Sequence, residues 1–214
     1  MVFIANYGTF QSPQSLTVFS NCEQVRLTQN GKLIATQGSD AGFHLPHAPF
    51  TFQVGDFSPT RSMLFGNPTA LSGLTEPAGE LLAEGIIAGK VVATHTIHSP
   101  GVPTQIQLRL DHCEMEPVAN GADWIRVYAH ICDARGTTHP FGDDLVTFFV
   151  EGEGSIIGDE TIFANPVRAE AGIATALVRT TRVAGTVKVR AAAPGLNGAS
   201  IQFQSRSDST PALA

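Results

Sequence analysis

The chain has 214 residues, of which 43% are hydrophobic and 15% charged, and its formal net charge is −6. This composition excludes an intrinsically disordered chain and allows one large or two small folded domains. The basic residues are scattered, and no apolar run approaches the roughly 20 residues that span a bilayer. We therefore expect no nucleic-acid and no membrane partner.

Short runs of alternating apolar and polar residues recur along the first half of the chain, separated by Gly, Pro and Asn. Such alternation is typical of half-buried β-strands, and Asn30-Gly31 can close a hairpin because both residues tolerate positive φ. The segments 38–49 and 58–78 are the least strand-like and predict loops that pack, bind or are disordered. The predicted strands are 15–20, 24–29, 32–36, 50–54, 80–85, 91–97 and 104–110.

The second half repeats this style without repeating the sequence. Its predicted strands are 123–132, 145–150, 173–179, 186–192 and 199–204. We predict an all-β fold with two domains, residues 1–111 and residues 112–214, joined near 111–117. The second domain is expected to end in a short disordered tail.

The strand over 124–131 carries the one outward feature that could bind a partner. Its odd-numbered residues are apolar, which predicts that Trp124, Arg126, Tyr128 and His130 lie on the opposite, outward face. An aromatic ring stacks on the apolar face of a sugar, and a guanidinium donates hydrogen bonds to hydroxyl groups. These four residues are therefore candidates for contact with a sugar or a neighbouring domain; ordinary exposed strand residues are the third alternative.

Several segments resemble a known family. Residues 18–32 read VFSNCEQVRLTQNGK and resemble a hairpin of the domain that follows the catalytic barrel in family 2 glycoside hydrolases, the β-galactosidases and their relatives. Segments 79–85, 89–93 and 101–108 resemble the closing strands of that domain, in the same order. Similarity to the immunoglobulin-like domain that ends many of these enzymes lies in 123–127, 132–136, 146–154 and 193–196.

The resemblance implies two tandem immunoglobulin-like β-sandwiches. It also implies a non-catalytic C-terminal accessory region of a β-galactosidase-like enzyme that serves packing, stability or substrate access. The upstream catalytic barrel is the implied partner, and carbohydrate is a second candidate. Since the two catalytic glutamates of the family lie on that barrel, no residue here inherits their role. The alternative is a stand-alone carbohydrate-binding or adhesive module. The sequence does not determine the cellular compartment; a periplasmic or secreted bacterial parent is one option.

Acidic residues at close spacing are the only candidates for glycosidase chemistry in the chain itself. Asp143 with Asp144, Glu151 with Glu153, and Asp159 with Glu160 each lie beside glycine in a predicted turn. Hydrolysis of a glycoside needs two carboxyl groups held at a fixed separation across a cleft. Turns exposed to solvent do not fix the separation of two carboxyl groups. We therefore predict no catalytic residue in this chain.

The histidines and cysteines also do not predict a catalytic or metal-binding site. The pairs His44 with His47 and His95 with His98 have a spacing that sends strand side chains to opposite faces, so we predict no metal site. No motif predicts a cofactor. Of the three cysteines, Cys22 is predicted to be structural; Cys113 and Cys132 are expected as free thiols, with a bridge between them as the alternative.

Overall fold

The structure is a computed structural model, and it describes residues 1–9, 12–42, 45–54, 79–111 and 113–209. The described residues form β-strands and one 3₁₀ turn at Glu160–Ile162, which confirms the all-β fold. None of the helical structure among them is long and apolar enough to cross a membrane. The predicted loop 58–78 and the predicted disordered tail after residue 209 lie outside the described residues, as do residues 43 and 44 of the loop 38–49.

The chain divides into two compact units, Met1–Gly101 and Val102–Ala214. The strands of the first unit are β1 (Val2–Ala5), β2 (Ser15–Ser20), β3 (Gln24–Gln29), β4 (Lys32–Gln37), β5 (Phe50–Gln53), β6 (Glu80–Ile87) and β7 (Lys90–His98). They form two antiparallel sheets, with strand orders β1-β2-β5 and β4-β3-β6-β7.

Alternate side chains of both sheets form one core in the first unit. Its fully buried members come from five strands, because every second residue of a strand points to the same side of its sheet. They include Ile4, Leu16, Val18, Val25, Leu27, Phe50, Phe52 and Leu81. The predicted hairpin is confirmed: Asn30 and Gly31 join β3 to β4 with φ of 51° and 74°.

The strands of the second unit are β8 (Gln105–Asp111), β9 (Val118–Ala119), β10 (Trp124–Cys132), β11 (Leu145–Gly152), β12 (Gly154–Ile156), β13 (Val167–Arg168), β14 (Ile173–Thr180), β15 (Thr186–Ala192), β16 (Ala199–Gln204) and β17 (Arg206–Ser207). They form two four-stranded antiparallel sheets, with strand orders β12-β14-β10-β8 and β13-β11-β15-β16, and a short parallel pair of β9 with β17.

The division between the units lies earlier than the predicted join at 111–117. Strand β8, which the sequence analysis placed in the first domain, pairs along its whole length with β10 of the second unit. Its residue Ile106 is 3% exposed in the core of that unit, and Leu108 and Leu110 pack against the same core. The alternation of β8 shows that one face is buried, but it does not tell which sheet the strand joins.

The position of β8 can be tested with two shortened polypeptides. We expect residues 102–209 to unfold cooperatively, whereas residues 112–209 lose three apolar side chains that stabilise by about 1.5–3 kcal/mol each when fully buried. That loss is comparable to the whole stability of a typical domain, about 5–15 kcal/mol. Thermal unfolding followed by circular dichroism makes the comparison, and equal midpoints would contradict the assignment of β8.

Two glycines with positive φ allow the energetic cost of backbone strain to be measured separately from the cost of a steric clash. Gly152 and Gly195 have φ of 86° and 77°, but an added Cβ would strike the carbonyl oxygen of Thr186 only at Gly152 and meets nothing within 4 Å at Gly195. We expect Gly195→Ala to lower the free energy of unfolding by about 1 kcal/mol and Gly152→Ala by about 3 kcal/mol, because overpacking adds to the strain. Urea unfolding measures both, and equal losses would refute the steric argument.

Candidate functional site

Strand β10 alternates as its sequence predicted. Ile125, Val127, Ala129 and Ile131 are all buried in the core of the second unit, which confirms the predicted register. Trp124, Arg126 and Tyr128 lie on the opposite face; Trp124 is 48% exposed, Arg126 is exposed and Tyr128 is half-buried. Three of the four candidate residues are therefore accessible to a partner.

His130 lies on the outward face as well, but it is buried, with 9% exposure, and the expectation of an exposed side chain is wrong. The segment after β10 folds back so that Thr138 Oγ1 lies 3.2 Å from His130 Nδ1 and Thr138 pairs with Cys132. Burial and the nearby Arg109 guanidinium lower the pKa of His130. This side chain cannot contribute to a surface contact.

The covering segment is held by the Asp133 carboxylate together with backbone hydrogen bonds. Asp133 Oδ1 accepts hydrogen bonds from the backbone N–H groups of Arg135 and Thr137, both at 2.9 Å. Gly136 has φ of 84°, and a Cβ at this position would lie 2.5 Å from the side-chain nitrogen of Gln107 on β8. The positive φ favours glycine here, whereas the Gln107 side chain could move aside. The sequence Asp-Ala-Arg-Gly thus forms the turn that places Thr138 over His130.

Arg126 is fixed by Asp111, a residue that the sequence alone does not single out. Its Nη2 lies 2.6 Å from Oδ2 of Asp111, and the Tyr128 hydroxyl donates to the same oxygen at 3.3 Å. The guanidinium also lies 5.8 Å from the centre of the Tyr128 ring. The sequence pattern puts Asp111 at the join between the domains. Only the pairing of β8 with β10 brings it beside Arg126.

Two more arginines share this face. Arg179 of β14 is paired with Trp124, and Arg109 of β8 is paired with Tyr128. Both are exposed, and neither guanidinium makes an ion pair or hydrogen bond with any described residue. We call this surface the arginine face and define it by Arg109, Asp111, Trp124, Arg126, Tyr128 and Arg179.

The close acidic pairs do not converge on a common cleft. Asp143 is 82% exposed in its side chain and lies 3.2 Å from Arg168. Glu151 pairs with Lys188 at 3.7 Å and Arg190 at 3.1 Å on the outward face of the other sheet. Asp159 accepts hydrogen bonds from the side chain and backbone of Thr161, which lower its pKa. Each of these carboxylates has a local structural partner.

Of the two histidine pairs, the pair His95 and His98 lies in the described part of the chain, and both residues contact neighbouring residues. His95 Nδ1 accepts a hydrogen bond from the Ile4 backbone at 3.0 Å, and its ring lies 5.0 Å from that of Phe3. His98 lies 3.8 Å from Glu80. Over the described ranges, three or more metal-binding side chains do not come together. His44 lies outside those ranges, and the prediction for its pair with His47 is not tested.

The cysteines are free thiols. Cys22 is buried, and a Cβ on Gly85 would lie 2.5 Å from its sulfur, so the thiol fills a space that only glycine leaves open. This confirms the predicted structural role of Cys22. Cys113 is exposed and Cys132 is buried below Thr138, where burial raises the pKa of the thiol. The structure holds no bridge between them.

The fold defines a pair of antiparallel β-sandwich units, the class to which immunoglobulin-like modules belong. Residues 106–202 match the model of the family described as Glycoside hydrolase family 2 C-terminal domain 5. The chain is therefore related to the C-terminal domains of family 2 glycoside hydrolases, and the resemblance predicted from the sequence is confirmed. The matched segment lies within the second structural unit and includes nearly all of β8.

Individual relatives agree with this assignment. A β-galactosidase from Thermoanaerobacter pseudethanolicus is 34% identical over 196 residues, which are 89% of this chain and 24% of that protein. A β-glucuronidase from Formosa agariphila is 25% identical over 201 residues, 90% of this chain and 18% of that protein. A solved glycosyl hydrolase family 2 member from Bacteroides cellulosilyticus has a TM-score of 0.64 at 26% identity, covering 89% of this chain and 24% of that one. The chain spans about a quarter or less of the length of these relatives.

The thiols should differ strongly in reactivity. We expect a maleimide reagent at neutral pH to label Cys113, which is exposed, much faster than Cys22 and Cys132, which are buried and react only when the protein opens. Mass spectrometry after timed quenching gives the three rates. The variant Cys113→Ser is the control and should lose the fast phase; fast labelling of Cys22 would contradict its structural role.

One buried histidine, His130, and one half-buried histidine, His139, should make the second unit sensitive to acid. Burial lowers the pKa of His130 and of His139, whose Nδ1 has no hydrogen-bond partner in the described part of the chain. Below the unfolded pKa of about 6.5, the unfolded chain binds protons that the folded chain refuses, so stability is complete above that pH and falls below it. We expect His130→Gln to reduce the loss of unfolding temperature between pH 7.5 and 5; parallel pH curves would contradict this.

Proposed function

We propose that this chain is a non-catalytic C-terminal accessory region of a larger glycoside hydrolase of the β-galactosidase type. The observation that carries the proposal is the match of residues 106–202 to a C-terminal domain of family 2 glycoside hydrolases. The chain also corresponds to only 24% of a relative named β-galactosidase. The remainder of such a protein would contain the catalytic barrel, which is the proposed covalent partner.

The chemistry of the described residues supports a role outside catalysis. A glycosidase needs one carboxylic acid whose pKa is raised so that it can protonate the leaving oxygen. Two carboxyl groups of the described residues have a pKa displaced in the opposite direction: the Arg26 guanidinium lowers the pKa of Glu84, and Thr161 lowers that of Asp159. Both carboxylates are stabilised in their charged form and suit ion pairing and turn formation.

The sequence identity of this chain to its relatives favours a parent of the β-galactosidase type. The relative named β-galactosidase is 34% identical, whereas the relative named β-glucuronidase is 25% identical over a similar length. The roles we propose are packing against the barrel, stability of the whole enzyme and access of substrate. A stand-alone sugar-binding or adhesive module is the competing function, and the coding sequence upstream of Met1 distinguishes the two by its continuation or lack of a barrel.

We expect the purified chain to hydrolyse no glycoside. Without a poised acid and a second carboxylate at fixed separation, neither step of the reaction is accelerated. The chain is incubated with aryl β-galactoside, β-glucuronide and β-mannoside beside the full-length parent, and release of the aryl group is followed by absorbance.

The parent enzyme is the positive control for each substrate. Turnover by the chain alone that disappears in Glu151→Gln or Asp159→Asn would refute the non-catalytic assignment. Turnover that these changes leave untouched, and that does not follow the protein peak on gel filtration, would indicate a contaminating enzyme.

A further inference from the structure

The outward face of the sheet β12-β14-β10-β8 has a charge opposite to that of the chain. Arg109, Arg126 and Arg179 lie on it, and Asp111 is the one carboxylate among the outward residues of these four fully described strands. The chain as a whole has a net charge of −6. Glu153, just before β12, is engaged by the Thr181 hydroxyl at 2.6 Å. The face is therefore a local cationic surface on an acidic chain.

The three arginines form an oblique row across three neighbouring strands. Arg179 on β14 is level with Trp124, Arg126 lies one step further along β10, and Arg109 on β8 is level with Tyr128. Strands are about 4.8 Å apart and a two-residue step is about 6.7 Å, so successive arginines are separated by about 8 Å at their backbones. A regular spacing of this kind suits a linear ligand that carries anions at intervals.

The aromatic side chains lie on either side of the central arginine. Trp124 and Tyr128 precede and follow Arg126 on the outward face of β10, and the Trp124 ring is the more exposed of the two. Asp111 holds Arg126 through its Oδ2 atom, so a carboxylate acceptor and a guanidinium donor occur side by side. Flat rings, donors and an acceptor on one flat surface match the alternating apolar faces and hydroxyl groups of a sugar chain.

The same face is poorly suited to a stable protein interface. The core of such an interface is a closely packed apolar patch, but among the outward residues of these strands Trp124 is the one exposed large hydrophobic side chain. The outward faces of the neighbouring strands add the polar side chains of Gln107, Ser155 and Thr175, together with two half-buried apolar side chains, Ile173 and Leu177. These observations favour a hydrated, anionic, ring-containing ligand over another protein domain.

We propose that the arginine face binds an acidic oligosaccharide, a sugar chain with carboxylate groups, with Trp124 stacked on a sugar ring and Arg109 and Arg179 paired with its carboxylates. This binding goes beyond the proposed function, because the chain alone, without a barrel, is enough for it. An accessory region with this site would hold the chain on an acidic polysaccharide.

The test measures binding of the whole chain to uronate oligosaccharides by isothermal titration calorimetry. The probes are oligomers of galacturonate, mannuronate, guluronate and hyaluronan, and the paired controls are the galacturonate oligomer with its carboxyl groups methyl-esterified and inorganic tripolyphosphate. We expect at least one uronate oligomer to bind, binding to weaken as salt is added, and both controls to bind at least about tenfold more weakly.

Substitutions separate stacking from charge. Arg109→Gln and Arg179→Gln should each weaken the binding about tenfold, since a hydrogen bond to a charged group contributes on the order of one such factor. Trp124→Ala should weaken it by a similar factor, because the ring that stacks on the sugar is lost. Phe149→Ala and Lys188→Gln are matched controls: both lie on the outward face of the other sheet, where Phe149 is 44% exposed, and they should leave affinity unchanged. Melting curves confirm that all variants fold.

Three outcomes would overturn the proposal. Failure of every uronate oligomer to bind is the first. Equal binding of tripolyphosphate, with no effect of Trp124→Ala, would indicate a plain anion patch instead of a sugar site. The third outcome is that the arginine variants bind every oligosaccharide as tightly as the wild type does, but lower the unfolding temperature of the full-length parent. The face would then be a contact between domains.

Discussion

The pairing of β8 with β10 is the contact on which the second unit depends. Strand β10 lies between β14 and β8, so without β8 its backbone would be an open edge, and open edges are available for pairing with other chains. The same pairing places Ile106, Leu108 and Leu110 against the core, and places Arg109 and Asp111 on the outer surface. One strand thus completes both the buried and the exposed side of the sheet.

Asp111 explains why the outer surface has a defined shape. A lone arginine on a strand samples many rotamers, and ordering it costs conformational entropy. Here the guanidinium of Arg126 is already held at 2.6 Å from Asp111 and close to the Tyr128 ring. Since both side chains are partly solvent-exposed, the ion pair adds little to stability. Its consequence is geometric, because it presents Arg126 between Trp124 and Tyr128 in one orientation.

The loop after β10 decides where this surface ends. Asp133 organises the turn, Gly136 allows it to approach Gln107, and Thr138 then covers His130 and Cys132. With both side chains covered, the accessible part of β10 is limited to its first half. The buried His130 is held in its neutral form by desolvation and by Arg109, so the cationic character of the face is due to arginine alone.

Local sequence determined the strands, the Asn30-Gly31 hairpin, the inward and outward sides of β10 and the family resemblance, because alternation and turn chemistry act between residues close together in the chain. Tertiary structure decided which sheet received β8, which carboxylate met Arg126, that Arg109 and Arg179 aligned with it, and that His130 was covered. Each of these depends on the pairing of segments separated by a loop. A β-strand carries its pattern of faces in its own residues, but the identity of its neighbour is set by the register and by the core that the whole sheet buries.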